Sequence, residues 1–127
     1  MAVISVSMWS CKKSDPIEEV LSITNSVLRT GEIPSSQGSN IPVINSVQHN
    51  SSFIPGGGAP MQVLATAQTG NITKLYVGLE GFSGYYEISI TQSSIFVNPI
   101  VAQSVTQDEL TFNLSVGDNN GNVSELY

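Results

Sequence analysis

The sequence predicts an all-β fold, a sandwich or a barrel, and three observations carry that prediction. From Ile41 onward the apolar residues fall in short runs, at about 41–48, 61–69, 72–80, 85–91, 95–102, 109–117 and 122–127. Clusters of Gly, Asn, Asp, Ser and Pro separate the runs, the pattern of short strands joined by turns. Within several runs apolar and polar residues alternate, the period that puts one face of a strand on a core.

Taken in chain order, residues 15–31 carry the signs of one short helix. Asp15 can cap it, Pro16 suits its first position, and Glu18 completes a capping box. Glu18 and Glu19 suit the positive end of the helix dipole, and Arg29 the negative end. Ile17, Val20, Leu21, Thr24, Val27 and Leu28 follow helical spacing, and Gly31 stands where such a helix stops. The β-branched residues Ile23, Thr24 and Val27 oppose it. The expectation is a helix over 16–29 that acts as a spacer. Residues 32–40, Glu-Ile-Pro-Ser-Ser-Gln-Gly-Ser-Asn, are a linker by composition. Residues 11–40 then form a helical or flexible stalk ahead of a β-domain over 41–127.

Within that domain, Phe53-Ile-Pro-Gly-Gly-Gly-Ala-Pro60 joins two strands. Its three glycines suggest a phosphate-binding loop, but no Lys-Ser/Thr and no helix follow. The most determined piece is the hairpin of residues 72–91. With Gly81-Phe82-Ser83-Gly84 as its loop, Glu80 faces Tyr85, Gly78 faces Glu87, Tyr76 faces Ser89 and Lys74 faces Thr91. Leu79, Val77 and Leu75 then meet Tyr86, Ile88 and Ile90 on a wholly apolar face. Leu110, Phe112, Leu114 and Val116 give a second inward set, and Met61, Val63, Ala65 and Ala67 a third. Asp118-Asn119-Asn120-Gly121-Asn122 is a turn by its Asn-Gly pair. Two registers stay open after it: Val123 against Val116 with Glu125 inward, or Leu126 buried with Val123 exposed.

Composition excludes some functions. A chain of 127 residues is a prior for one domain, and its single cysteine allows no internal disulfide. The net charge is −6, with only Lys12, Lys13, Arg29 and Lys74 as cations. No basic face exists to neutralise phosphates, so nucleic acid is not an expected partner.

The apolar stretch Ala2 to Trp9 is far short of the roughly 20 residues of a membrane span. It ends in Ser10-Cys11-Lys12-Lys13 and resembles the lipobox of Bacteroides-type lipoproteins. The resemblance implies that residues 1–10 are a truncated or atypical export signal and that Cys11 is the lipid attachment residue. It places the chain in the cell envelope, held to a bacterial outer membrane through acyl chains on Cys11. The seven runs, the Asp-x-x-Gly-Asn-Val-Ser ending (118–124) and Gly-Tyr-Tyr-Glu-Ile (84–88) are similar to bacterial immunoglobulin-like or fibronectin-like domains. That resemblance implies a seven-stranded antiparallel immunoglobulin-like sandwich. The Cys…Trp…Cys set of antibody-type domains is absent from 41–127.

Little in the sequence suggests catalysis. The one histidine, His49, lies in a polar stretch and reads as a loop residue, and Gly81-Phe82-Ser83-Gly84 lacks the spacing of a nucleophile elbow. No Cys/His cluster offers a transition-metal site. Asp118, Asn120 and Asn122 alternate like calcium ligands, but no glutamate closes the loop at the right distance, so a turn is the better reading. Glu80 and Glu87 share one face of the predicted hairpin, one cross-strand step apart, and read as solvated carboxylates rather than a glycosidase pair. Asn-x-Ser/Thr sequons stand at Asn50, Asn71, Asn113 and Asn122; the lipobox resemblance implies a bacterial source, in which they are chance matches. No catalytic residue, metal or cofactor is assigned. The candidate binding face is Tyr76 and Tyr85 with Glu87 and Lys74 beside them, suited to a glycan or an envelope protein. The expected role is a non-catalytic structural or accessory binding domain. The alternatives are a carbohydrate-binding accessory lipoprotein of a polysaccharide-uptake system, or an accessory subunit or fragment of an envelope enzyme.

Overall fold

The computed structural model describes residues 15–50, 52–92 and 94–127. The predicted export segment, Cys11 and the first residues of the predicted stalk lie outside the described residues. Among the described residues the strands are β1 (Asp15–Pro16), β2 (Leu21–Ser22), β3 (Ser26–Arg29), β4 (Val43–His49), β5 (Met61–Thr66) and β6 (Ile72–Leu79). They continue as β7 (Phe82–Ser83), β8 (Tyr85–Ser89), β9 (Ser94–Val97), β10 (Ile100–Val101) and β11 (Phe112–Asp118). The fold is all-β. A four-stranded sheet runs β11-β6-β8-β3 and a three-stranded sheet runs β4-β5-β9, both antiparallel. Two short pairs complete it, β10 with β2 and the parallel β1 with β7.

Alternation places the core. Leu75, Val77 and Leu79 of β6, Tyr86 of β8, and Leu114 and Val116 of β11 point the same way and are buried. Met61, Val63 and Ala65 of β5, with Ile95 and Val97 of β9, do the same in the three-stranded sheet. All of them belong to one hydrophobic cluster. Each fully buried Leu or Val contributes about 1.5–3 kcal/mol over leaving it in water.

The helix expected over 16–29 does not form. Ile17–Glu19 make one 3-10 turn, Leu21–Ser22 pair with β10, and Ser26–Arg29 form β3 beside β8. Asn25 turns the chain between them at φ 58, and the Ser26 hydroxyl donates to the Ile23 carbonyl at 2.6 Å. The apolar spacing was real but served another geometry. Ile17, Val20 and Leu21 are buried, whereas Val27 and Leu28 are 49% and 40% exposed on an edge strand. The β-branched residues settle into strand and turn, where two atoms on Cβ cost less than in a helix.

Residues 15–40 are therefore packed on the β-fold rather than standing off it as a stalk. The Tyr86 hydroxyl donates to the Leu21 carbonyl and ties β2 to the core. Burial pushes the Tyr86 phenol above its usual value, with the Glu18 charge adding to the rise. The segment read as a linker is bonded to the end of the chain. Gln37 and Val123 exchange amide bonds of 3.1 and 2.8 Å, and the Ser36 N–H donates to the Ser124 carbonyl at 2.7 Å.

The β6–β8 hairpin keeps its predicted faces but slips by two residues. Lys74 pairs with Ser89, Leu75 with Ile88, Tyr76 with Glu87 and Val77 with Tyr86. A slip of two preserves parity, so the apolar match could not detect it. The cause lies at the turn. Phe82–Ser83 leave β6 to pair with β1, and the chain bends at Gly84, φ +87. A Cβ there would lie 3.0 Å from the Arg29 carbonyl oxygen.

The run expected at 95–102 splits into β9 and β10 around Asn98-Pro99. The run expected at 122–127 forms no strand; Val123 bridges Gly117 and Gln37, and the Ser124 and Tyr127 amides bond to β11. Neither foreseen register is adopted whole. Val123 and Ser124 are buried, while Glu125 and Leu126 are exposed.

Candidate functional site

Strand parity builds one polar face on the outside of the four-stranded sheet. Tyr76 stands opposite Glu87, and Lys74 lies one step diagonally from Glu87. On the far side of β8, β3 sets Val27 opposite Glu87 and Arg29 opposite Tyr85. All four residues picked from sequence, Lys74, Tyr76, Tyr85 and Glu87, are brought together. Arg29 joins them, having been read as a helix terminus.

Glu87 is the hub of this face. Lys74 Nζ donates to Glu87 Oε2 at 2.8 Å, and Arg29 Nε lies 3.4 Å from Oε1. The Glu87 side chain is 16% exposed, against 36% and 50% for its two cations. The Lys74 hydrogen bond holds its carboxyl below the usual value against the opposing effect of burial, with Arg29 adding to the fall. The two tyrosine rings meet edge to face, centroids 5.9 Å apart and planes at 75°. Burial pushes the Tyr76 phenol up, and the Glu87 charge pushes it further.

Part of the sheet face is covered and part is open. Ile33 Cδ1 packs over Gly78, 3.7 Å from where a Cβ would stand. The Ser115 hydroxyl donates to the Pro34 carbonyl at 2.6 Å, and Ser115 is completely buried. The 33–37 segment thus closes the face over β11 and one end of β6. Tyr76, Tyr85, Lys74 and Glu87 stay half-buried beyond that cover, and Arg29 is exposed. Composition gave no sign of that cover, because Ile-Pro-Ser-Ser-Gln reads as a linker whether or not it is docked.

Glu87, held ionised between two cations, is a poor proton donor. Glu80 is no partner for it. It lies beyond the end of β6, four residues past Tyr76, which stands opposite Glu87. At strand rise that sets their backbones roughly 13 Å apart along the sheet, rather than one cross-strand step.

The remaining candidates resolve as structure. Asp118 is buried, and its Oδ1 accepts the N–H groups of Asn120 and Asn122 at 2.9 Å while Oδ2 accepts Asn122 Nδ2 at 2.9 Å. Burial raises the Asp118 carboxyl, but the bonds from the Asn122 side chain and from the two backbone amides together outweigh it and hold it low. The Asp-Asn-Asn-Gly-Asn segment is thus a turn closed on itself. The Gly56 and Gly57 amides donate to the Val101 and Ile54 carbonyls at 2.8 Å rather than facing an anion. Among the described residues no three His, Cys, Asp or Glu side chains are grouped to hold a metal. His49 is not in a loop. It is the last residue of β4, paired with Met61, and lines a groove between the two larger sheets.

Comparison with known proteins adds no relative: no family model, no curated protein and no solved structure matches this chain.

Proposed function

We propose that this chain is a lipid-anchored, non-catalytic binding domain of the bacterial cell envelope, built as an immunoglobulin-like sandwich. The open half of the four-stranded sheet carries the reading: two tyrosines in edge contact beside an ion-paired Glu87. Such a surface has rigid aromatic area and fixed donors and acceptors, the chemistry of recognition. The single core shared by two antiparallel sheets supports the sandwich. The Ser10-Cys11-Lys12-Lys13 junction supports attachment to the outer membrane through acyl chains on Cys11. Two acyl chains make such anchoring stable.

The face suits a glycan or an envelope protein, and the tyrosines favour the glycan. Their rings offer apolar faces to sugar C–H groups, while Lys74, Arg29 and Glu87 can bond hydroxyls. On that reading the chain is an accessory lipoprotein of a polysaccharide-uptake system. A glycan array probed with the intact chain and with the Tyr76→Ala/Tyr85→Ala variant tests it. The expected result is binding to a defined saccharide class that falls by about tenfold or more in the variant. Absence of binding, or binding that the variant leaves unchanged, removes the glycan.

A further inference from the structure

A second concave surface, separate from the tyrosine face, opens between β4 of the three-stranded sheet and β11 of the four-stranded sheet. It is a groove of about 460 Å³, within the usual range for ligand sites. Val47, Phe53, Met61, Leu110, Phe112 and Leu114 make it apolar. Met61 and Leu114 are 5% and 2% exposed, so the floor of the groove is the core itself. The rim is acidic: Asp108 and Glu109 line it with His49, and no Lys or Arg among the described residues does.

The strand beside the groove has a free edge. β4 pairs with β5 alone, and no other backbone pairing of β4 occurs among the described residues. Its sequence, Val-Ile-Asn-Ser-Val-Gln-His, holds no charged residue and no proline, the usual means of blocking an edge. Among the described residues, a single irregularity between Ile44 and Ser46 is the one interruption of this edge. The corresponding edge of β11 is different, because the end of the chain covers it. The Ser124 N–H donates to the Val116 carbonyl at 2.9 Å, and the Tyr127 N–H to the Leu114 carbonyl at 2.8 Å. The open edge, the apolar floor and the acidic rim therefore meet at one place.

We propose that this groove is the docking site for an extended peptide segment of a partner protein, apolar at alternate residues and carrying a Lys or Arg. The segment adds to β4 as an outer strand. Its main chain satisfies the free edge, and its alternate side chains settle on the groove floor, the division of labour in strand addition. Its cation lies against Asp108 and Glu109, and the chain's net charge of −6 favours the approach of a basic partner. An amphipathic amine of low mass would match the floor and the rim but leave the β4 edge unpaired, so the edge selects a peptide.

The test is titration of the full chain with a fluorescein-labelled octapeptide of alternating Val and Thr with Lys at each end. Three comparison peptides carry Glu in place of Lys, or N-methyl groups on one or the other set of alternate amides. The Lys peptide is expected to bind, with the Glu peptide about tenfold weaker. Only one of the two N-methyl sets, the one facing β4, is expected to abolish binding. In Asp108→Asn/Glu109→Gln the preference for Lys over Glu is expected to fall below about threefold with the thermal melt unchanged. Amide chemical-shift changes are expected along Val43–His49 and in 110–114. No binding of the Lys peptide at about 1 mM overturns the proposal. So do equal effects of the two N-methyl sets, a charge preference that survives the double variant, or shift changes confined to other strands.

Discussion

At the scale of single residues, two carboxylates carry most of the electrostatic organisation. Glu87 is held between Lys74 and Arg29, and Asp118 accepts three N–H bonds inside its own turn. Both are lowered from ordinary values of 4.5 and 3.8. A carboxyl lowered on folding adds stability that is fully present above its unfolded value and is lost as pH falls through its folded value. Thermal midpoints measured from pH 7 downward should hold to about pH 5 and then drop. Asp118→Ala should destabilise by about 2–3 kcal/mol at pH 7, because buried N–H groups lose a charged acceptor. The same variant should flatten the acid slope, read by denaturant unfolding at pH 7 and pH 3. The sequence showed that Lys74, Tyr76, Tyr85 and Glu87 share a face, since parity alone decides that. It did not show Arg29, whose place depends on β3 pairing with β8 across nearly sixty residues of chain, a long-range contact without a local signal.

Among the elements, the long alternating strands were legible and the short ones were not. β5, β6 and β8 fall inside predicted runs, and β4 and β11 overlap theirs but run one residue further, to His49 and Asp118. β1, β2 and β7 are two residues long, too short to show any period. β3 was hidden by a stronger local pattern. A capping box and helical spacing describe 15–29 well, yet burial of Ile17 and Leu21 against the sheets wins, as tertiary packing commonly does over propensity. The hairpin register failed by two residues because Gly84 lets Phe82–Ser83 leave β6 for β1. That bend gives a prediction. Gly84→Ala places a Cβ 3.0 Å from the Arg29 carbonyl at a positive φ, a strain of about 1–3 kcal/mol. It should lower the thermal midpoint and loosen β3 first, seen as faster amide exchange at Val27 and Arg29 than at Leu75.

For the whole molecule, the boundary of the folded unit is the main departure from the sequence reading. A domain starting at residue 41 would lose Ile17 and Leu21, both 1% exposed, and the cover of the sheet by Ile33 and Pro34. A fragment of residues 41–127 should therefore show no cooperative thermal transition, whereas 15–127 should melt in one step. Equal melting of the two would mean that 15–40 is a stalk after all. Composition could not locate this boundary, because a polar segment docked by backbone bonds has the same residues as a free one. On the proposed function the folded unit stands directly at the membrane, since only Lys12, Lys13 and Ser14 separate Cys11 from β1. The most direct measurement is the intact mass of the chain recovered from the membrane fraction of its native host. A species that begins at Cys11 and carries added diacylglyceryl and acyl mass is the predicted result; an unprocessed chain with a free Cys11 thiol would contradict it.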